Sequence, residues 1–228
     1  MVKIYPTLLA FDVLNPQKEI ERLEPIAQGF QLDIMDNHFV PNVTYGADFV
    51  NAVTKITKRQ LWVHLMVDNP VSWLGKLFVP PYSIMTFHIE STEHITETIN
   101  YIKERKWQPS IAVNPSTPIE EVFPFLPMIH QVSIMSVEPG FPRQEFLKST
   151  WDKFRKLKGY RQTSQLDFRI AVDGGINLKN IQELVKEGVD DLAISAAIFG
   201  QKDPVLALKE LTDRATIAQQ EIDSKRAI

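Results

Sequence analysis

The sequence predicts an α/β protein built as a (β/α)₈ barrel, and three observations favour this fold class. Short apolar runs rich in β-branched residues recur at intervals of roughly 25 residues, which is the pattern of buried parallel strands. The stretches between them carry charged residues and apolar residues at helical spacing, as expected of alternating β and α units. The chain has 228 residues, close to the about 250 that one such barrel takes.

The elements follow one another along the chain without a linker or repeated block. Strands are predicted at 3–9, 30–35, 61–66, 84–89, 110–113, 131–137, 168–172 and 191–195, and their number matches a closed parallel barrel. Because an open doubly wound sheet shows the same alternation, periodicity alone does not separate the two. We expect residues 1–228 to form a single barrel domain.

Helices are predicted in the intervals at 94–105, 119–125, 144–158 and 178–187. Asn15-Pro16 is typical of a further helix start, and Asn177 is the predicted N-cap of the helix that Gly188 ends. The charged segment 203–228 predicts a final helix with a loose tail.

Composition excludes several classes of function. Lys+Arg 25 against Asp+Glu 28 leaves a net charge of -3, so nucleic acid is not an expected partner. The first residues lack the layout of a signal peptide, and no apolar run approaches the ~20 residues of a membrane span. We therefore expect a cytoplasmic protein. With no cysteine in the chain, chemistry is left to His, Asp, Glu, Ser and backbone groups.

Polar side chains stand near the carboxyl ends of three predicted strands, at Asp33, His64 and Asp173. Side chains alternate along a strand, so residues two apart share a face with them (Gln31, Met35, Trp62 and Met66). An inward-facing carboxylate or imidazole is costly unless it is paired or binds a metal, and barrel active sites lie at the carboxyl ends. Each residue alone can equally be a satisfied core group, but the three together indicate a site.

A second feature follows the seventh predicted strand. Asp173 is followed by Gly174 and Gly175 just before a helix, so that backbone N–H groups can approach an anion such as phosphate. Two glycines after a strand are also ordinary turn chemistry.

Several runs resemble, in the same order, the motifs of the ribulose-phosphate 3-epimerases. The run 33–42, D-I-M-D-N-H-F-V-P-N, is similar to that family's D-V-M-D-G-H-F-V-P-N, and 63–66 reads V-H-L-M as the family does. Further matches are N-P-S-T-P at 114–118, M-S-V-E-P-G-F at 135–141, V-D-G-G at 172–175 and A-I-F at 197–199. This resemblance covers residues 3–200 and implies a (β/α)8 TIM barrel of the ribulose-phosphate-binding type.

The resemblance also implies a divalent metal (Zn, Fe, Mn or Co) held by two His and two Asp. It places three ligands at Asp33, His64 and Asp173, with Gln31 at the fourth position. The two aspartates are implied to be catalytic, one taking the C3 proton of a ketose phosphate and the other returning a proton to the opposite face. Such a reaction passes through an enediolate, whose charge a metal stabilises. The implied substrate and phosphate contacts are Thr7, Met35, Met66, Met135, Gly140, Arg143, Gly174, Gly175, Ser195 and Ala196.

The sequence departs from the family pattern at several of these positions. Gln31 replaces a histidine, and an amide oxygen is a poorer ligand than imidazole for zinc or iron. We therefore expect weaker metal binding, or a metal-free pocket in which Gln31 hydrogen-bonds Asp33. Where the family reads G-F-G-G-Q, Pro142 removes an N–H donor and Arg143 adds a cation, which either clamps phosphate or is solvated. Smaller departures are Thr7 and Ala10 for two serines, Asn37 for glycine, Trp62 for an acid and Ser195-Ala196 for Gly-Ser.

The predicted function is a metal-dependent ketose-phosphate 3-epimerase of carbohydrate metabolism. Its substrates are ribulose 5-phosphate and xylulose 5-phosphate of the pentose phosphate pathway, or a hexulose 6-phosphate. The alternative is a catalytically impaired sugar-phosphate-binding or regulatory homologue. An orotidine-monophosphate decarboxylase type is disfavoured because its Asp-x-Lys-x-x-Asp array has no lysine here. We expect a sugar phosphate and further copies of the chain, in a homo-oligomer, as the partners.

Two of the five histidines carry a further expectation from the resemblance. His38 matches a family position at the rim of the pocket and His88 one in the fourth strand, whereas His94 and His130 match no functional position and are expected on the surface or in the core.

Overall fold

Eight parallel strands form the barrel wall in residues 1–226, the part of the chain that the computed structural model describes. They are β1 Lys3–Pro6, β2 Gly29–Met35, β3 Gln60–Met66, β4 Ile84–His88, β5 Gln108–Val113, β6 Gln131–Met135, β7 Arg169–Asp173 and β8 Asp191–Ile194. Each strand pairs with its neighbour in sequence from β2 to β8, and β8 pairs with β1. The structure thus confirms the predicted eight-stranded barrel.

Strands β1 and β2 meet at a seam with little pairing. A single bridge joins Thr7 to Gln31, supported by a hydrogen bond of 2.9 Å from the Leu8 N–H to the Gln31 carbonyl. At the other end of the seam the Ile4 N–H donates to the side-chain oxygen of Gln28 at 3.1 Å. Gln31 therefore lies where the barrel closes.

The helices form the outer layer. They are α1 Pro16–Leu23, α2 Ala47–Ile56, α3 Pro70–Leu74, α4 Ile95–Glu104, α5 Trp151–Ser164, α6 Ile181–Lys186, α7 Ala196–Phe199 and α8 Pro204–Arg226. α1 starts as predicted, with Asn15 at the N-cap and Pro16 at the first helical position, where the missing N–H costs nothing. The last two residues of the predicted final helix, 227–228, lie outside the described residues. In the described part of the chain, no helix has both the length and the apolar character that crossing a membrane requires.

Three predicted helices need correction. The helix predicted at 178–187 begins only at Ile181 with Asn180 as its N-cap residue, because Asn177 forms a preceding turn in which its carbonyl accepts the Asn180 N–H. Residues 119–125 belong to a 3₁₀ segment, Ile119–Met128, that contains two prolines, and proline lacks the N–H of an α-helical bond.

The helix predicted at 144–158 starts later, after a short 3₁₀ turn at Lys148–Thr150. The Gln144 side chain instead bonds the carbonyls of Glu138 and Phe141 at 2.6 and 2.9 Å, and the Leu147 N–H donates to the Ser136 carbonyl. These bonds hold the segment as a loop over the carboxyl end of the barrel.

The barrel interior is filled by layers. An apolar layer of Tyr5, Trp62, Ile84, Ala171 and Ala193 crosses it, with the Tyr5 and Trp62 rings edge to face at 5.3 Å. This layer is the floor beneath the carboxyl-end polar groups.

The amino ends of the strands are closed by a polar network that we call the bottom plug (Ser110, Gln131, Arg169 and Asp191). Arg169 donates two hydrogen bonds of 2.6 Å to the fully buried Asp191 carboxylate. Gln131 donates to the same carboxylate at 2.8 Å and accepts from Ser110 at 2.9 Å. The buried acid is thus bonded on both oxygens.

Candidate active site

Asp33, His64 and Asp173 meet at the carboxyl end of the barrel. The register of β2 and β3 pairs Asp33 directly with His64, and Asp173 is the last residue of β7. His64 Nδ1 lies 3.1 Å from Asp173 Oδ2 and 3.4 Å from Asp33 Oδ1. One potential ligand atom of each residue lies within 4.8 Å of the other two. The structure therefore brings the three predicted residues together, and we call them the carboxyl-end cluster.

The environment shifts the protonation of the carboxyl-end cluster. Burial raises the pKa of Asp33 to about 6, an effect that the nearby His64 imidazole opposes and the charge of Asp173 reinforces. For His64, burial acts to lower the pKa, but the carboxylates of Asp173 and Asp33 outweigh it and raise the pKa to about 9. A protonated His64 thus offsets one negative charge of its two acidic neighbours.

Gln31 is turned with its amide nitrogen toward this cluster. Its Nε2 donates to Asp173 Oδ2 at 2.6 Å, while its Oε1 accepts from the Thr7 hydroxyl. Because an ionised carboxylate only accepts, the NH₂ group must be the end that faces Asp173. The predicted partner Asp33 is wrong, since Asp33 is two residues further on the same strand, about 7 Å away along the backbone.

The three cluster residues offer a donor set that fits a divalent ion. Asp33 Oδ1 is buried and has no hydrogen-bond partner among residues 1–226, which leaves a lone pair aimed at its neighbours. One imidazole nitrogen and two carboxylate oxygens are ligands of zinc and of harder divalent ions alike. In this orientation Gln31 is not a fourth metal ligand, because its side-chain oxygen faces Thr7.

A cavity of about 380 Å³ opens above the carboxyl-end cluster. His64 and Gln31 lie beneath it and are fully buried. The lining contains the two aspartates and every residue predicted to contact substrate, namely Thr7, Asp33, Met35, Met66, Met135, Gly140, Arg143, Asp173, Gly174, Gly175, Ser195 and Ala196.

The turn after β7 requires its two glycines. Gly174 has φ +107° and Gly175 φ +64°, values that side chains rarely adopt. A Cβ on Gly175 would lie 2.5 Å from the Phe146 backbone nitrogen, and one on Gly174 would clash with Val137. The backbone can therefore approach the cavity closely only without side chains here.

The loop after β6 forms one wall of the cavity. Arg143 is exposed on it with φ +66°, a left-handed conformation that is uncommon for a non-glycine residue. The loop is tied to the one after β2, because Asn42 Nδ2 donates to the Gly140 carbonyl at 2.7 Å.

Ser195 uses its hydroxyl within the protein. The hydroxyl accepts the Ala10 N–H at 2.9 Å and donates to the Thr7 carbonyl at 3.0 Å. The Ser195 hydroxyl is thus engaged within the protein, although Ser195 and Ala196 line the cavity.

The structure shows a connection below the cavity that sequence reasoning missed. His64 Nε2 lies 2.9 Å from His88 Nε2, and His88 Nδ1 lies 3.3 Å from Glu90 Oε2. Burial lowers the pKa of His88 to about 4 despite Glu90. The alternation Ile84, Thr86, His88 in β4 was the available signal, since it directs His88 inward.

The other histidines lie away from this connection. His38 is exposed on the loop after β2. His94 is exposed at the start of α4, and His130 is half-buried next to the first residue of β6, at the end of the barrel opposite the cavity.

Comparison with known proteins agrees with this geometry. Residues 3–199 match the sequence model of the Ribulose-phosphate 3 epimerase family. The chain belongs to the ribulose-phosphate 3-epimerase family. It is therefore one of the isomerases.

Among its curated relatives, ribulose-phosphate 3-epimerase of Methanocaldococcus jannaschii is 38% identical over 94% of this chain and 92% of its own length. The cytoplasmic isoform of ribulose-phosphate 3-epimerase from Oryza sativa subsp. japonica is 37% identical over 89% of each chain.

Solved structures extend the likeness to the fold alone. The tryptophan synthase α-subunit of Pyrococcus furiosus superposes with a TM-score of 0.65 at 17% identity, covering 95% of this chain and 99% of its own. The epimerase family member described here is thus a barrel of the same architecture.

Proposed function

We propose that this chain is a metal-dependent 3-epimerase that interconverts ribulose 5-phosphate and xylulose 5-phosphate. The observation that carries the proposal is the convergence of Asp33 and Asp173 on His64 at the floor of the cavity. Family membership and the names of its relatives support the substrate class.

The two carboxylates supply the proton transfers. One takes the proton from C3, which gives an enediolate, and the other returns a proton to the opposite face of that carbon. A general base works best when its pKa lies near the working pH, and burial of Asp33 shifts its pKa in that direction in the metal-free protein. A divalent ion held by Asp33, His64 and Asp173 supplies Lewis-acid stabilisation of the negative charge.

Met35, Met66 and Met135 surround the reacting carbon in this proposal. All three are buried and line the same cavity as the two aspartates. Apolar thioether side chains exclude water there, which strengthens the electrostatic interactions inside the cavity.

The mouth of the cavity binds the terminal phosphate in this proposal. The residues of the Gly174-Gly175 turn, Ser195 and Ala196 line the cavity together with Arg143. Backbone N–H groups in a glycine turn and a guanidinium are both well suited to phosphate oxygens. Thr7 contributes indirectly, by holding the Gln31 oxygen.

A substrate panel tests the function. The protein is incubated in D₂O with ribulose 5-phosphate, allulose 6-phosphate or unphosphorylated ribulose, after chelation and after addition of Zn²⁺, Mn²⁺, Fe²⁺ or Co²⁺, and exchange at C3 is followed by NMR. We expect exchange with the pentulose phosphate and a gain on adding metal. Equal rates for phosphorylated and unphosphorylated ketoses would contradict the phosphate site. Faster exchange with allulose 6-phosphate than with ribulose 5-phosphate would show that the substrate is a hexulose phosphate.

A second candidate is a sugar-phosphate-binding homologue without turnover. The hydrogen bond from Gln31 to Asp173 favours it, because the donated bond occupies a carboxylate oxygen that would otherwise be free to bind the ion. Binding of ribulose 5-phosphate without C3 exchange under every metal condition would decide for this alternative.

Assembly and location follow the family in this proposal. We expect a homo-oligomer, which analytical ultracentrifugation tests. The name of the rice relative supports a cytoplasmic location, which fractionation of cells tests.

A further inference from the structure

A chain of close polar contacts runs from the carboxyl-end cluster into the wall of the barrel. It consists of His64, His88 and Glu90, and we call it the His64–His88–Glu90 chain. Its contacts are 2.9 Å between the two Nε2 atoms and 3.3 Å from His88 Nδ1 to Glu90 Oε2. The imidazole rings lie parallel within 15°, with centroids 5.0 Å apart.

We propose that Glu90, acting through His88, fixes the tautomer of His64 and keeps the His64 Nδ1 lone pair directed at the cation site. This proposal rests on the proposed metal site, and it makes His88 and Glu90 positioning residues of that site.

The direction of the hydrogen bonds follows from Glu90. A carboxylate only accepts, so the proton of a neutral His88 resides on Nδ1. That nitrogen makes no well-formed hydrogen bond among the described residues, and the polar atom that it faces is Glu90 Oε2 at 3.3 Å. The Nε2 of His88 is then the acceptor, and His64 Nε2 must carry the proton between the rings. Nδ1 of His64 remains as the nitrogen that faces Asp33 and Asp173.

Burial removes the competing arrangement. Both imidazoles are fully buried, and the Phe39 ring packs on His88 at a centroid distance of 4.6 Å. A positive charge on His88 would have to be desolvated in this place, which is unfavourable. The neutral form with its proton on Nδ1 is therefore the one that Glu90 selects.

Glu90 is itself held in place from behind. Its Oε1 accepts the Asn114 N–H at 2.8 Å. The loop that carries Asn114 is fixed by Lys153 of α5, whose ammonium donates to the Asn114 and Thr117 carbonyls at 2.5 and 2.6 Å. The Glu90 carboxylate is thus held in one position relative to the two imidazole rings.

Glu90→Gln tests the proposal because it keeps the size of the side chain. The amide can accept the Asn114 N–H with its oxygen and offer an N–H to His88 Nδ1, which reverses every bond in the His64–His88–Glu90 chain. A proton then resides on His64 Nδ1, where an ion would bind. We expect a loss in Zn²⁺ affinity of about 10-fold to 100-fold, the range measured for partners of metal-binding histidines.

Two readouts are compared with a matched control. Zn²⁺ alone is titrated by calorimetry into wild type, Glu90→Gln and Glu93→Gln, the last of which removes an exposed charge from the same segment. Nitrogen-15 NMR of histidine-labelled, metal-free protein gives the His88 tautomer at pH 10, above the pKa of His64, where the His64 ring is neutral and either of its nitrogens can carry the proton. The signals are assigned through their loss in His88→Gln.

We expect His88 protonated on Nδ1 in wild type and on Nε2 in Glu90→Gln, with Glu93→Gln unchanged in both readouts. A wild-type His88 protonated on Nε2, or equal Zn²⁺ affinity for wild type and Glu90→Gln, overturns the proposal. Absence of Zn²⁺ binding by wild type would overturn the proposed function instead, while the NMR readout still decides the tautomer.

Discussion

The two ends of the barrel interior bury acidic side chains in opposite ways. In the bottom plug, Asp191 accepts two bonds from Arg169 and one from Gln131. In the carboxyl-end cluster, Asp33 has one oxygen without a hydrogen-bond partner in the described structure. Asp33 and Asp173 both contact the same nitrogen, His64 Nδ1. The difference indicates that one end is built for stability and the other for chemistry, since unsatisfied buried groups persist where a site needs them.

The largest expected effect is on activity at the carboxyl end. Asp33→Asn and Asp173→Asn each remove a group that transfers a proton, so C3 exchange should fall by about 10²–10⁴-fold. The denaturation midpoint of Asp33→Asn should stay the same or rise at pH 8, because burial disfavours the ionised carboxylate. Turnover is measured by NMR and stability in urea. Near wild-type turnover in either variant would contradict the two-base mechanism.

The next effect is on stability at the amino end. Arg169→Met leaves the buried Asp191 with Gln131 as its remaining donor, and breaking a buried pair costs about 3–5 kcal/mol. The control Arg155→Met breaks an exposed pair with Asp152, which should cost less than about 1 kcal/mol. Urea unfolding measures both. Equal costs would show that the bottom plug does not stabilise the barrel as the comparison requires.

A third prediction concerns metal affinity at the seam. Gln31→His places an imidazole beside the carboxyl-end cluster and should tighten Zn²⁺ binding by about 10-fold to 100-fold. This is the effect on metal affinity of residues that only hydrogen-bond a metal ligand, and a direct ligand should contribute at least as much. Gln31→Leu is the matched control. Because the amide oxygen faces Thr7, its loss should leave Zn²⁺ binding no weaker than in wild type. If neither wild type nor Gln31→His binds any divalent ion at millimolar concentration in calorimetry, the proposed metal site is wrong.

The smallest expected effect is a pH dependence confined to the carboxyl end. The folded pKa of His64, about 9, lies above its ordinary value of 6.5, so its contribution to stability is complete below pH 6.5 and is lost as pH rises through 9. The loss should be on the order of 1–3 kcal/mol in chelator-treated protein. Urea unfolding between pH 6.5 and 9.5 measures it. A slope that persists in His64→Gln would assign the effect to another group.

The sequence predicted the strands and the cluster better than the connections. Alternation along a strand places Asp33, His64 and Asp173 on inner faces, and strand ends converge in any parallel barrel. Helix starts were less certain. Asn177 and Asn180 are both good caps, and only the turn that follows Gly175 decides between them.

Contacts between side chains of different strands were not predicted, because they depend on how the strands are offset. The Gln31 amide meets Asp173 of β7 rather than Asp33 of its own strand, and His88 meets His64. Neither pair has a signature in local spacing. The left-handed backbone of Arg143 was also not predicted. Arginine does not indicate this conformation, and only the family motif, which has a glycine at this position, points to it.

The bond between Asn42 and the Gly140 carbonyl has a consequence for engineering. It joins two loops that are 98 positions apart in the chain, and Val40 lies 3.3 Å from where a Gly140 side chain would begin. Changing the substrate range by transplanting one loop from a relative would break the fit with the other. The two loops are therefore a single exchangeable module, and libraries that vary them together should yield folded variants more often than libraries that vary either one.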